Sequence, residues 1–468
     1  MKLASVHPTI TFAGGAGEVT GANFLFTVPA AGGGSAQADA VRILVDCGLA
    51  QGCRFCEAKN RDPFPYDPSS VDVLVVTHAH LDHIGRIPKL VRDGFAGVIY
   101  STPGTRELAE ASLEDSVQVL AEEARADGVL PLYEMKDVRA ALALWRDAPY
   151  GTVTALKGGV SFVLKDAGHI LGASIVEFSV RGKKVVFTGD LGNSPSPLLN
   201  DTESVTDATY LVMESVYGDR NHEPHDERAA ALEKIIAESV RRGGTLLIPA
   251  FSIERTQILL YELNRLIEGK KVPSVPVFLD SPLAIKVTAV YKKRIENMNP
   301  GVRAEIRAGD DIFNFPRLVL AKTGEDSRAI DRVPGPKIII AGSGMSMGGR
   351  VTRHERLYLP DPKSTFLSVG YQAVGTLGRQ IADGAKEVTI FKERVPVRAA
   401  VRAIRGYSAH KDSDGLVDFV SQTAGTVRKV FVAMGEPKAS LFLAQRLREY
   451  LGVEAVVPRA GETVELDL

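Results

Sequence analysis

The sequence predicts an α/β protein of two domains, and three observations carry that prediction. At 468 residues the chain exceeds the size at which one hydrophobic core usually stops growing. Short runs rich in Val, Ile and Leu alternate with longer amphipathic stretches, the pattern of strands separated by helices. Histidines and aspartates recur just after the short apolar runs, at the ends of the predicted strands.

The elements follow in order. Thr20 to Val28 and Val41 to Val45 alternate like paired strands, separated by the excursion AAGGGSAQADA. VDVLVV, residues 71–76, is a short buried strand that ends abruptly at His78. Helical patterns span Arg106–Arg125 and Tyr133–Arg146, and strands are expected at Val160–Lys165, Ser174–Val180 and Lys184–Thr188. Beyond residue 216 the alternation becomes regular. Helices are expected at Glu227–Arg242, Ile253–Ile267 and Leu283–Met298, and strands at Thr245–Ile248, Val277–Leu279, Lys337–Ala341, Ser364–Val369 and Glu387–Phe391. Such spacing suggests parallel crossovers and a second α/β sheet. The tail after residue 396 reads strand, His410, helix, strand (Lys429–Val432), helix and strand.

Composition limits the functional classes. Hydrophobic residues make up 45% and charged residues 24%, as in an ordinary soluble domain. No apolar run approaches the roughly 20 residues that span a bilayer, and MKLASVHPTITFAGG lacks the blocks of a secretory signal. A cytoplasmic location and no membrane partner are the expectation. Lys and Arg total 56 against 57 Asp and Glu, a net charge of -1. Nucleic-acid binders often carry a basic excess, so any phosphate-tracking groove must be local. Its candidates are the clusters at 286–294, 350–356 and 394–405. Cys47, Cys53 and Cys56 bunch together and form no disulfide framework. Cys53 and Cys56 make one C-x-x-C without the second pair of a zinc knuckle and read as free thiols.

The strongest motif is His78-x-His80-x-Asp82-His83, directly after the VDVLVVT strand. In a loop leaving a strand tip, His78 and His80 can point to one ion, while Asp82 and His83 turn toward a second. Imidazole and carboxylate are ligands zinc accepts, about three per ion with one position left for water. Further ligands are offered at strand ends: His169 in DAGHILGAS and Asp190 in VVFTGDLG, whose two carboxylate oxygens can bridge two ions. Asp46 in ILVDCG can hold an imidazole or the nucleophilic water.

These residues resemble the four ordered signature motifs of the metallo-β-lactamase superfamily. The middle of the chain resembles the β-CASP insert of its nucleic-acid-processing members: Glu214 in MESVYGDRNH, His354 in GSGMSMGGRVTRHE and His410 in GYSAHKD fall on the three β-CASP motifs. LDSPLA and GGAGEVTGAN look like stretches of the same group. The likeness covers nearly the whole chain and points to bacterial and archaeal relatives of the pre-mRNA cleavage and polyadenylation endonuclease. It implies an αββα sandwich (residues 1–216 and 396–468) with an inserted β-CASP α/β domain (217–395). Two departures stand out. Val216 replaces the usual Thr, and Glu254 in PAFSIERTQ stands where relatives usually show Gly, with Arg255 and Gln257 retained.

The resemblance further implies a ribonuclease acting on single-stranded RNA with two zinc ions per chain. His78, His80 and His169 would hold one ion, Asp82, His83 and His410 the other, and Asp190 would bridge them. His354 would protonate the leaving sugar oxygen, Glu214 would orient it, and the products would carry a 5′-phosphate and a 3′-hydroxyl. Ser343, Gly344, Met345 and Arg255 would bind phosphate, the first three through a Gly-rich turn. His at the third motif favours RNA over DNA. The rivals are a DNA nuclease of the same family, a small-molecule metallo-hydrolase and a non-catalytic scaffold. Endonucleolytic and 5′–3′ exonucleolytic action stay open, as does a homodimer, on which no sequence feature bears.

Overall fold

A side chain that repeats every second residue lies on one face of a strand, and that rule builds the first half of this computed structural model. The structure describes residues 7–30, 40–52, 56–223, 225–370, 372 and 375–468; the excursion at 31–39 and Cys53 lie outside them. The chain forms two compact units, Met1–Asn221 with His410–Leu468, and His222–Ala409.

In the first unit, two seven-stranded sheets face each other. One runs Thr463–Glu465, Thr9–Gly14, Asn23–Val28, Val41–Val45, Val73–Val75, Val98–Ser101 and Trp145–Asp147. The other runs Ala455–Val456, Lys429–Val432, Tyr210–Met213, Lys183–Phe187, Ser174–Val180, Ser161–Asp166 and Thr154–Ala155. Ile10 and Phe12, Phe24 and Phe26, Phe162 and Leu164, and Phe178 and Val180 supply one core from alternate positions. Phe26 meets Phe178 at 5.5 Å between ring centroids, and Phe12 meets Phe431 at 5.5 Å. Each such buried side chain contributes roughly 1.5–3 kcal/mol, more than an exposed ion pair, so the facing sheets are held by apolar area. Helix Pro103–Asp127 packs beside the first sheet and against Met135–Ala143, and Pro437–Leu451 packs beside the second and against Ser413–Ser421. This is the αββα sandwich.

The second unit carries six parallel strands in the order Leu318–Leu320, Val277–Asp280, Lys337–Ala341, Thr245–Pro249, Thr365–Val369 and Ala400–Ile404. The central strands are buried throughout, as a parallel sheet covered on both faces requires. Register aligns Pro249, Ala341 and Asp280 at the carboxyl edge.

Five expectations need correction. Thr9–Gly14 is a strand that the sequence reading omits, paired between Asn23–Val28 and Thr463–Glu465. The helix expected over Tyr133–Arg146 stops at Ala143; buried Trp145 pairs with Ile99 and donates its indole N–H to Ser101 at 2.8 Å. Glu387–Ile390 does not join the parallel sheet but forms an antiparallel pair with Glu393–Pro396. Ala400–Ile404 pairs with Thr365–Val369, so the return to the sandwich falls at His410 rather than at 396, and the exit at 221 rather than 216. Cys56 is disulfide-bonded, not a free thiol.

Candidate metal centre and active site

In the first unit, loops leaving the strand tips carry the motif residues. Asp46 follows Val41–Val45, Thr77 and His78 follow Val73–Val75, His169 follows Ser161–Asp166, Asp190 follows Lys183–Phe187, and Glu214 follows Tyr210–Met213. Two glycines let those loops touch. A Cβ on Gly48 would lie 1.5 Å from the Asp82 carbonyl oxygen, and one on Gly192 would lie 1.9 Å from that of Gly168. Gly192 also bridges to His410, which brings the third β-CASP motif to the same place.

The side chains converge. His78 Nε2 lies 3.1 Å from His80 Nδ1, which lies 3.3 Å from His169 Nε2. Asp190 Oδ2 lies 3.4 Å from His78 Nε2 and 3.6 Å from His169 Nε2. These four ligand atoms all fall within 4.8 Å of one another, as do those of Asp190, Glu214 and His410. Asp190 belongs to both groups. Its other oxygen, Oδ1, lies 3.4 Å from His83 Nε2, which lies 4.0 Å from Asp82 Oδ2. Asp46 supports the loop from behind. It accepts from the Thr77 amide at 2.8 Å, the Thr77 hydroxyl at 2.8 Å and His83 Nδ1 at 2.7 Å, so His83 presents Nε2.

This arrangement fits divalent metal. Tetrahedral zinc with bonds of about 2.0–2.1 Å sets its ligand atoms roughly 3.4 Å apart, the spacing found here. Among the described residues His83 Nε2 and Asp190 Oδ1 are buried without a hydrogen-bond partner, an expensive state for two polar atoms unless a cation satisfies them. Burial drives His80 and His169 well below the ordinary imidazole value, leaving the neutral rings that ligate metal. Burial opposes charge on His410 too, but Glu214 at 3.2 Å lifts it to about 9. His83 is likewise raised against its burial by Asp190 and Asp46. Asp190 is held well below the carboxylate range because His83 and His78 outweigh its burial, whereas burial raises Asp82 and Glu214.

The second unit holds the remaining motif residues. His354 lies in helix Gly349–Tyr358 and is wholly buried. Its Nε2 pairs with Asp280 Oδ2 at 2.7 Å. Glu214 instead accepts from the Leu191 amide at 2.6 Å and faces His410. The carboxylate in contact with His354 is thus Asp280, which the sequence reading quoted within LDSPLA but gave no task. Ser343, Gly344 and Met345 form a turn at the carboxyl edge of the sheet. Their carbonyls accept from the Ser346 amide, the Gln372 side chain and the Gly378 amide. Gly344 packs on Phe251, whose ring a Cβ would meet at 2.7 Å. Arg255 is buried at the start of helix Arg255–Glu268. Several cations of the predicted basic clusters are already engaged: Lys292 with Asp311, Arg353 with Asp331, Arg356 with Glu393.

Among the described residues no helix is long and apolar enough to cross a membrane. Residues 38–242 match the metallo-beta-lactamase superfamily, 256–381 the Beta-Casp domain, and 394–458 the Zn-dependent metallo-hydrolase RNA specificity domain. The chain is 37% identical over 451 residues to "Ribonuclease TTHA0252" of Thermus thermophilus, covering 96% of this chain and 98% of that one. It is 32% identical to an "RNase J-like protein" of Methanocaldococcus jannaschii, covering 90% and 93%. With the "Transcription termination factor FttA" of Methanosarcina mazei it shares 31% identity over 98% of this chain and 71% of that one. A protein of unknown function from Enterococcus faecalis shares the fold at a TM-score of 0.56 with 15% identity, over 98% of this chain and all of that one.

Proposed function

We propose that this chain, which belongs to the β-CASP ribonuclease family of the metallo-β-lactamase superfamily, hydrolyses phosphodiester bonds of single-stranded RNA. The observation that carries the reading is the double use of Asp190, one carboxylate common to two groups of metal-ligand atoms.

His78, His80, His169 and Asp190 would hold one divalent ion, and Asp190 with His410, His83, Asp82 and Glu214 a second; two zinc ions per chain are the reading these donors favour. When bound, the ions supply Lewis acidity toward the attacking water and the scissile phosphate. The residues do the rest. Asp46 fixes the His83 ring so that Nε2 faces Asp190. His354 gives a proton to the departing 3′-oxygen, leaving a 5′-phosphate and a 3′-hydroxyl. The amides of Ser343, Gly344 and Met345 receive a neighbouring phosphate, and Arg255 supports that edge from within. A cytoplasmic setting belongs to the same reading.

The test is cleavage of end-labelled single-stranded RNA and of sequence-matched DNA by the purified chain, with bound metal counted in the same samples. Wild-type protein cuts RNA and carries about two ions per chain, while Asp190→Ala loses both properties. Intact RNA beside two bound ions would overturn the substrate, and preferential cutting of DNA would show that His410 is no guide to sugar type. The fragment ladder separates endonucleolytic from 5′–3′ action.

A further inference from the structure

We propose that Asp280 is the positioning residue of the acid His354, taking up Nε2 so that Nδ1 is the nitrogen that passes a proton to the substrate. The proposal rests on the reading of His354 as the acid and deepens it.

Asp280 ends the strand Val277–Asp280 and is wholly buried. A bare carboxylate there would be costly, but three donors surround it. Arg350 reaches Oδ1 at 2.7 Å, and the Ser327 hydroxyl reaches Oδ2 at 2.6 Å. The third, His354 Nε2, lies 2.7 Å from Oδ2. Arg350 is itself fixed by the carbonyls of Ala321 and Lys322. Despite burial, the bonds from His354, Ser327 and Arg350 hold the Asp280 carboxyl below its ordinary value. It is thus an acceptor only, and the hydrogen between the two must sit on Nε2.

That assignment settles the other nitrogen. His354 Nδ1 is buried and has no hydrogen-bond partner among the described residues. Tyr358, one turn later, stacks on the ring at 6.1 Å with planes 18° apart, which resists rotation of the imidazole. A ring pinned at Nε2, stacked on one face and unpartnered at Nδ1 among the described residues is built to work at Nδ1. In the step, water oxygen bonds to phosphorus and the phosphorus–3′-oxygen bond breaks. The Nδ1 proton goes to the 3′-oxygen, Nε2 keeps its own, and the ring ends neutral. Water loses a proton to solvent, and solvent recharges Nδ1.

The experiment compares two RNA substrates in the full-length, metal-loaded chain, one ordinary and one with sulfur in place of the bridging 3′-oxygen. A thiolate departs without protonation, so only acid catalysis becomes dispensable. Asp280→Asn should lose about 10²-fold or more on the oxygen substrate and less than about 10-fold on the sulfur one, with metal content unchanged. His354→Ala should show the same pattern. Wild-type rates in Asp280→Asn on ordinary RNA, or equal losses on both substrates, overturn the proposal. A His354→Ala variant whose loss sulfur does not relieve overturns the acid reading beneath it, which is a distinguishable failure. Should Asp280→Asn not fold, ¹⁵N-histidine spectra of the wild type decide. Neutral His354 must carry its proton on Nε2, and a proton on Nδ1 overturns the proposal.

Discussion

Glu355 neighbours His354 in sequence but lives in different chemistry. It is wholly buried, Ser346 donates to one of its oxygens, and the other has no hydrogen-bond partner among the described residues. Burial pushes its carboxyl up to about 7 from 4.5. The sign follows from proton counting: the native state holds this proton where the unfolded chain has released it. The stabilisation is complete below pH 4.5 and is lost as pH rises through about 7. Glu355→Gln keeps the neutral shape without the titration. It should match wild type in denaturant unfolding at pH 4 and exceed it at pH 8 by up to about 3 kcal/mol. An unchanged pH slope in the variant would show that Glu355 is not buried as a neutral acid.

At the scale of elements, the metal centre is a meeting of loops, and the meeting depends on glycines that ligate nothing. Gly192 donates its amide to Ala167 at 2.8 Å, bridges to His410, and leaves no room for a methyl group against Gly168. Gly192→Ala should therefore separate the His169 and Asp190 loops. Misplacing ligands in this way costs about 10–100-fold in metal affinity, the range seen when support around a ligand is lost. Gly425→Ala, where a Cβ meets nothing within 4 Å, should bind metal as wild type does. Equal metal affinity in both variants would mean that the loops adjust and that the close approach is incidental.

For the whole molecule, the near-zero formal charge of -1 hides a strong local imbalance. Two carboxylates and five imidazoles crowd around a third carboxylate, Asp190 (Asp82, Glu214, His78, His80, His83, His169, His410), in the first unit. Cations bound there stabilise only the folded state, by about 4 kcal/mol at 1,000 times the dissociation constant. Chelation should lower the unfolding midpoint of that unit by on the order of 10 °C and leave the second unit's transition in place. Calorimetry with and without chelator checks this, and superimposable traces would mean that no stabilising metal is held.

Much of the site was legible because metal ligation needs particular side chains. Three histidines and an aspartate within His78–His83, His169, Asp190 and His410 admit few other readings, and the structure brings them together around one carboxylate. Alternation likewise announced most strands, since a half-buried strand must repeat every second residue. The sequence by itself therefore determined the αββα class and the inserted parallel sheet, and it singled out the residues that gather around Asp190. The strand Thr9–Gly14 escaped because its partner Thr463–Glu465 lies at the far end of the chain. The return boundary moved because Ala400–Ile404 pairs beside Thr365–Val369, a choice of neighbour that no local pattern encodes. Glu254 shows the same limit. Its φ of 63° and ψ of -55°, with the Arg255 amide bonded to the Ile253 carbonyl, make a γ-turn of the strained hand. That geometry explains why relatives use Gly, and here the Glu254 carboxylate is retained by Tyr291. Only the tertiary structure decided which carboxylate serves which histidine, Asp280 for His354 and Glu214 for His410. A hydrogen bond is a distance between side chains, and distances across 74 or 196 residues are set by packing.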